Sequence, residues 1–152
     1  MSIVVPFDGS VLAKTALLHA ENAAKMYGES VIAVTVIPRK NDKYAREERW
    51  LSPDEEYDKE TIVARLRRQV KEITPDSEFE HIPVSRYSSS GTISSRIRRF
   101  AREKDASAVF IGSGNAGRMV IGAESVGGRI AADLDYDIAI FRHALSEAKQ
   151  SS

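Results

Sequence analysis

Two short segments hold the residues best suited to chemistry. Asp8-Gly9-Ser10 and Gly112-Ser113-Gly114-Asn115-Ala116-Gly117 each follow an apolar run. Glycines let backbone N–H groups approach an anion, and a helix starting behind such a loop adds partial positive charge. Asp8 could accept a hydrogen bond from a ribose or a base. The same residues also suit a plainer role, with the glycines in tight turns and Asp8 assisting the cap of a following helix. The pattern leaves both readings open. No segment carries recognisable catalytic machinery. The P-loop pattern, the dinucleotide Gly-x-Gly-x-x-Gly and the Gly-x-Ser-x-Gly elbow are all missing from the chain. His19, His81 and His143 have no metal-ligand spacing. Arg96, Arg98, Arg99 and Arg102 are interrupted by Ile97 and Phe100, which makes them the solvated sides of one helix.

The elements that would position the two loops alternate along the chain. Ile3-Val4-Val5 is a short strand, and Ala13, Ala16, Leu17, Ala20, Ala24 and Tyr27 recur at helical spacing, with Ser10 as N-cap and Gly28 just past the end. Val31 to Ile37 is apolar apart from Thr35, as in a strand covered on both faces. A long polar stretch, Pro38 to Ser52, contains the single tryptophan, Trp50, and few apolar anchors beyond Tyr44, Trp50 and Leu51. Its length predicts a mobile connection. Ser52-Pro53-Asp54-Glu55 reads as a helix start, with Ile62, Leu66, Val70 and Ile73 continuing the stripe. Phe79 to Val84 is a weaker strand whose Pro83 suits a sheet edge. Thr92 can cap a helix with the stripe Ile93, Ile97, Phe100 and Ala101. Ala108 to Ile111 is a fourth strand, Ser125 to Leu134 a last helix with Gly127 and Gly128 in its first turns, and Ile138 to Phe141 a fifth strand. Strands alternating with helices imply an α/β fold with a parallel sheet and helices on both faces. Residues 1–143 are expected to form one domain, and 144–152 a frayed tail. In such a sheet, ligands bind outside the carboxyl ends of the strands where the strand order reverses.

Composition narrows the partners. The 152 residues are 42% apolar and 29% charged, with 22 basic and 22 acidic side chains. Zero net charge argues against a nucleic-acid binder or an anionic-membrane binder. The absence of cysteine excludes disulfides and zinc-thiolate sites. No apolar run approaches the roughly 18 residues of a membrane span, and Met1 to Asp8 lacks the basic start of a signal peptide. A cytoplasmic location is the expectation that remains.

The chain resembles the universal stress protein family. Val4-Val5-Pro6-Phe7-Asp8-Gly9-Ser10 matches that family's opening strand and turn. Gly91-Thr92-Ile93 through Ala108-Val109-Phe110-Ile111-Gly112-Ser113 matches its Gly-helix-strand-Gly-Ser segment, and Ser125-Val126 with Ile138 to Phe141 its final helix and strand. The resemblance implies a Rossmann-like, open five-stranded parallel sheet of order 3-2-1-4-5 and a homodimer. Pairing through the exposed last strand, Ile138 to Phe141, suits that dimer. In the family's ATP-binding branch the positions matching Pro6, Phe7, Asp8 and Val36 hold the nucleoside. A Gly-x-x-Gly motif followed by Gly-Ser holds ribose and phosphates, which corresponds to Gly112, Ser113, Gly114, Asn115, Gly117, Ser125 and Val126 here. Asn115 stands at the second glycine and Glu124 at the later one, and the spacing from Gly112 is one residue short.

The function implied is a stress-response regulatory module that binds an adenine nucleotide, ATP or AMP, weakly between the first and fourth strand ends. A carboxylate at Glu124 would repel phosphates unless it held a magnesium ion bridging them. The alternative is a ligand-free dimeric interaction module. A slow ATPase ranks last, since no base is positioned for it.

Overall fold

The computed structural model of the chain describes residues 1–114 and 136–150. The elements are β1 (Ser2–Pro6), α1 (Val11–Tyr27), β2 (Ser30–Pro38), α2 (Asp42–Glu47), α3 (Lys59–Ile73), β3 (Glu78–Val84), α4 (Ser90–Glu103), β4 (Ala106–Gly112), β5 (Asp137–Phe141) and α5 (Ser146–Gln150). The expected last helix from Ser125 to Leu134, with Glu124, Gly127 and Gly128, lies outside the described residues.

Five parallel strands form one sheet in the order β3-β2-β1-β4-β5. Alternation along the strands divides the core in two. Ile3, Val5, Val31 and Ala33 face α1 and α3, meeting Ala16, Leu17, Ile62 and Leu66. Val4, Ile32, Val34 and Val36 face α4, meeting Ile93, Ile97 and Phe100. A parallel strand with both faces covered must be apolar at every position, and β1 is buried along its whole length. β3 and β5 are the sheet edges, so Pro83 removes no interior ladder donor.

Capping explains where the helices begin. Ser10 caps α1, its Oγ accepting from the Ala13 N–H at 3.2 Å, and Gly28 closes it in the left-handed conformation at φ 67°. The other two long helices start away from their expected positions. α4 is capped by Ser89, whose Oγ accepts from Thr92 N, so Thr92 lies inside the first turn. α3 begins at Lys59, capped by Asp58, and not at Ser52. Ser52-Pro53-Asp54-Glu55 makes an isolated turn instead, with Glu55 N donating to Ser52 O and Ser52 N donating back to the Glu55 carboxylate at 2.8 Å. The turn stops there because Glu55 is held by Arg65 of α3 in a two-pronged pair, at 2.8 and 2.7 Å.

The polar stretch from Pro38 to Ser52, expected as a mobile connection, carries structure of its own. It contains α2, capped by Asn41, and buries Ala45, Trp50 and Leu51. Trp50 N donates to Ala45 O, and Arg65 Nη1 donates to Trp50 O at 3.1 Å. Two of the sparse apolar residues, Trp50 and Leu51, are buried together with Ala45 and anchor the stretch. Residues 144–150, expected to fray, turn back onto α1: Leu145 N donates to the Thr15 hydroxyl at 3.0 Å and Ala148 is fully buried.

The Glu55–Arg65 pair predicts an acid response. The hydrogen bonds from Arg65, then those from the Ser52 N–H and hydroxyl, hold the Glu55 carboxyl at about 2, against an ordinary value of 4.5. A carboxyl depressed in the folded state contributes stability that is complete above its unfolded value and is lost as pH falls through its folded one. Trp50 emission should therefore shift between pH 4.5 and about 2, and Glu55→Gln should remove much of that shift. An identical acid profile for both proteins would show that the pair does not anchor this segment.

Candidate functional site

At the carboxyl end of β1, three backbone groups have named partners. Phe7 N donates to Val34 O at 2.8 Å. Phe7 O accepts from the Thr35 hydroxyl at 2.5 Å, which accounts for the one polar residue within the apolar run of β2. Asp8 O accepts from Trp50 Nε1 at 2.9 Å. The Asp8 carboxylate accepts from Ser10 N at 2.9 Å, so it does assist the turn into α1. Gly9 makes that turn at φ 84°, and a Cβ there would meet the Gln69 side chain at 2.9 Å.

A narrow cleft with about 20 Å³ of free interior space lies on these strand ends. Pro6, Phe7 and Asp8 from β1 and its loop, and Val34, Thr35 and Val36 from β2, make its floor. Ile93 and Ile97 of α4 close one side, and Tyr44 and Trp50 close another. The two aromatic rings meet edge to face, with centroids 5.6 Å apart. All four residues expected to hold a nucleoside, Pro6, Phe7, Asp8 and Val36, converge here. Sequence reasoning missed the other walls. Ile93 and Ile97 had been assigned to the core, and the one available signal for the aromatic side was a lone tryptophan in a polar stretch.

Gly112, Ser113 and Gly114 leave β4, the other neighbour of β1, and do not line this cleft. Val4 pairs with Val109, so both strands end at the same level. The strand order reverses at β1, which has β2 on one side and β4 on the other, the position where open α/β sheets take ligands. Gly112 has a packing role of its own. A Cβ on it would lie 2.7 Å from the backbone carbon of Leu12 in the first turn of α1. Gly114 is exposed, with open space around it. Asn115, Gly117, Ser125 and Val126 lie outside the described residues.

Trp50 and Asp8 also line a second recess, together with Gly9, Lys14, Arg49, Arg65 and Gln69 among others. Lys14 is buried, and Arg49 adopts a left-handed backbone at φ 62°. Gln69 Oε1 is buried without a hydrogen-bond partner among the described residues. The histidines lie elsewhere. His19 stacks on Phe141 at 4.2 Å beside β5, His81 sits in edge strand β3 and His143 is exposed. Burial, followed by the charges of Lys59 and Arg67, pushes His81 below its ordinary value. Among the described residues no three His, Asp or Glu side chains are grouped to hold a metal ion. No helix among them is long and apolar enough to cross a membrane.

A model of the universal stress protein family matches residues 1–148. The chain belongs to that family. The match runs past residue 143 into the segment that carries α5. Solved structures agree in fold. A universal stress protein in complex with cAMP is 19% identical, with a TM-score of 0.53, over 93% of this chain and 96% of that one. A universal stress protein from Archaeoglobus fulgidus is 22% identical with a TM-score of 0.54, over 93% of each chain. One from the same organism in complex with dAMP is 22% identical with a TM-score of 0.51, over 93% of this chain and 96% of that one. At these identities the likeness is one of fold. No curated protein matches the sequence at a significant level.

Gly112 gives the sharpest test of this site's construction. The atoms that a Cβ would strike belong to helix backbone and cannot swing aside. Gly112→Ala should cost about 1–3 kcal/mol through overpacking, lowering Tm by roughly 2–10 °C. Gly114→Ala should change Tm little. Equal effects in calorimetry would disprove the close-packing account.

Proposed function

We propose that this universal stress protein is a regulatory module that binds an adenine nucleotide weakly at the carboxyl ends of β1 and β2. The observation that carries the reading is the convergence of Pro6, Phe7, Asp8 and Val36 on one cleft at the point where strand order reverses. Its walls are apolar with a few polar groups at one end, the usual make-up of a small-molecule site. Two family members of the same fold were solved with cAMP and with dAMP, and these ligands support an adenine base as occupant. Gly112, Ser113 and Gly114 follow the neighbouring strand, where phosphate would extend toward Asn115, Gly117, Ser125 and Val126. Glu124 disfavours ATP relative to AMP by placing a carboxylate where the family's ATP binders have glycine, unless magnesium bridges it to the phosphates.

We assign no catalysis to the cleft. Asp8 is the one carboxylate among its lining residues, and it already accepts from Ser10 N. The ligand-free interaction module is the second reading. It is favoured by two facts, that Trp50 and Tyr44 cover the cleft and that the Leu12 contact explains Gly112 without a ligand.

Calorimetry with AMP and ATP, with and without magnesium, tests the first reading. AMP should bind more tightly than ATP in the absence of magnesium. Glu124→Gly should strengthen ATP binding by about tenfold, equivalent to roughly 1.4 kcal/mol, and AMP binding by less. If neither protein binds either nucleotide at millimolar concentration, the interaction module takes over. Self-association through β5 is part of both readings, since that strand is an open edge of the sheet. Light scattering at tens of micromolar should give the mass of a dimer, and a monomer mass would refute that assignment.

A further inference from the structure

We infer that Trp50 is an internal competitor for the base, a gate whose indole occupies the approach to the cleft and must leave when a nucleotide binds. This rests on the nucleotide reading above and adds to it the residue that controls access. Three observations converge on it. The side chains around the cleft are closed off: Phe7 and Ile93 are each 2% exposed and Trp50 is 6% exposed. Trp50 packs into the same core as the sheet, but it is carried by the connection between β2 and α3, so the wall able to move without parting the sheet from α4 is the one made by Tyr44 and Trp50. The indole also satisfies the site in the way a base would. It is a flat bicyclic ring whose single N–H donates to Asp8 O at 2.9 Å, at the loop expected to hold the nucleoside. A purine with an exocyclic amine offers the same shape and the same kind of donor. Exchanging one for the other leaves the half-buried Asp8 carbonyl bonded, which lowers the cost of opening.

The fastening of the gate lies outside the cleft. Trp50 is held through its backbone by Ala45 O and by Arg65, which is itself fixed by Glu55. Trp50 also lines the recess of Lys14, Arg49 and Gln69, which gives the side chain a neighbouring space when it swings out. A ligand that must displace such a group binds with its intrinsic affinity reduced by the open fraction. Removing the group removes that reduction.

The test uses the full chain, with AMP and adenosine as probes. Trp50→Ala should bind AMP about tenfold more tightly than the natural protein. Trp50→Phe, which keeps a ring but loses the N–H, should fall between the two. Adenosine should show the same order, because the gate acts on the base and not on the phosphate. Since the chain has one tryptophan, acrylamide quenching of the natural protein reports the gate directly and should rise on saturation with AMP. The Ala45, Glu48 and Trp50 amides should be protected from hydrogen exchange in the free protein and exchange faster in the complex. If Trp50→Ala fails to fold by circular dichroism, Trp50→Phe and the quenching decide. Equal or weaker binding by the variants, or quenching that falls on AMP binding, overturns the gate and leaves nucleotide binding standing. If the natural protein and every folded variant bind neither probe at millimolar concentration, the nucleotide reading fails and the gate falls with it.

Discussion

The structure depends on satisfying the carbonyl groups where β1 leaves the sheet. A strand buried on both faces delivers its last peptide groups into a place with little water, and each unpaired buried carbonyl there would cost on the order of 1–3 kcal/mol. The chain answers with side chains from two distant points. Thr35 donates to Phe7 O, and Trp50 donates to Asp8 O. The first requirement puts a hydroxyl in the middle of an otherwise apolar strand. The second requires a tryptophan to reach back from a segment about forty residues downstream, and Ala45, Leu51, Arg65 and Glu55 follow from the need to hold it there.

This constraint accounts for what could and could not be read from the residues. The two-faced core and the position of the cleft follow from patterns in the chain, such as the continuous apolar run of Val31 to Ile37 and the stripe in α4, whereas the strand order was implied by the family resemblance. Four of the expected nucleoside residues lie within or beside strands whose register is set by those patterns. The aromatic wall was not legible in the same way. Tyr44 and Trp50 sit in a stretch with strong charge and no sustained period, and Trp50 is held by partners distant in sequence, Asp8 and Arg65. Helix starts failed for a related reason. Ser52-Pro53-Asp54-Glu55 has every local feature of a helix start, yet Glu55 is drawn to Arg65 by an ion pair that no local pattern announces. Thr92 and Ser89 are both good caps, and it is Ser89 whose hydroxyl takes the Thr92 N–H.

Gly112 illustrates how one residue can satisfy two demands that sequence cannot separate. A glycine after β4 suits a phosphate cradle, and it is also required where α1 starts against the strand end. The contact with Leu12 would preserve this glycine in a chain that binds nothing. Residues without such a second duty are therefore better witnesses to a ligand. Val36 and Pro6 line the cleft, and other apolar side chains would bury there equally well, so their tolerance to substitution separates a ligand site from a mere interior gap.

The same reasoning links the strength of binding to the strength of the fold. The contacts that close the cleft are ordinary stabilising contacts: an indole hydrogen bond, an edge-to-face aromatic pair and an ion pair at the segment's base. Each makes the closed form more stable, and each therefore lowers the fraction of molecules able to accept a ligand. About 1.4 kcal/mol of net preference for the closed form reduces apparent affinity about tenfold. A relative with a shorter or less aromatic connection after β2 would keep the strand-end geometry and lose this reduction. Affinity within such a fold can then vary over orders of magnitude while the residues that touch the ligand stay the same, because the variation resides in the segment that has to leave.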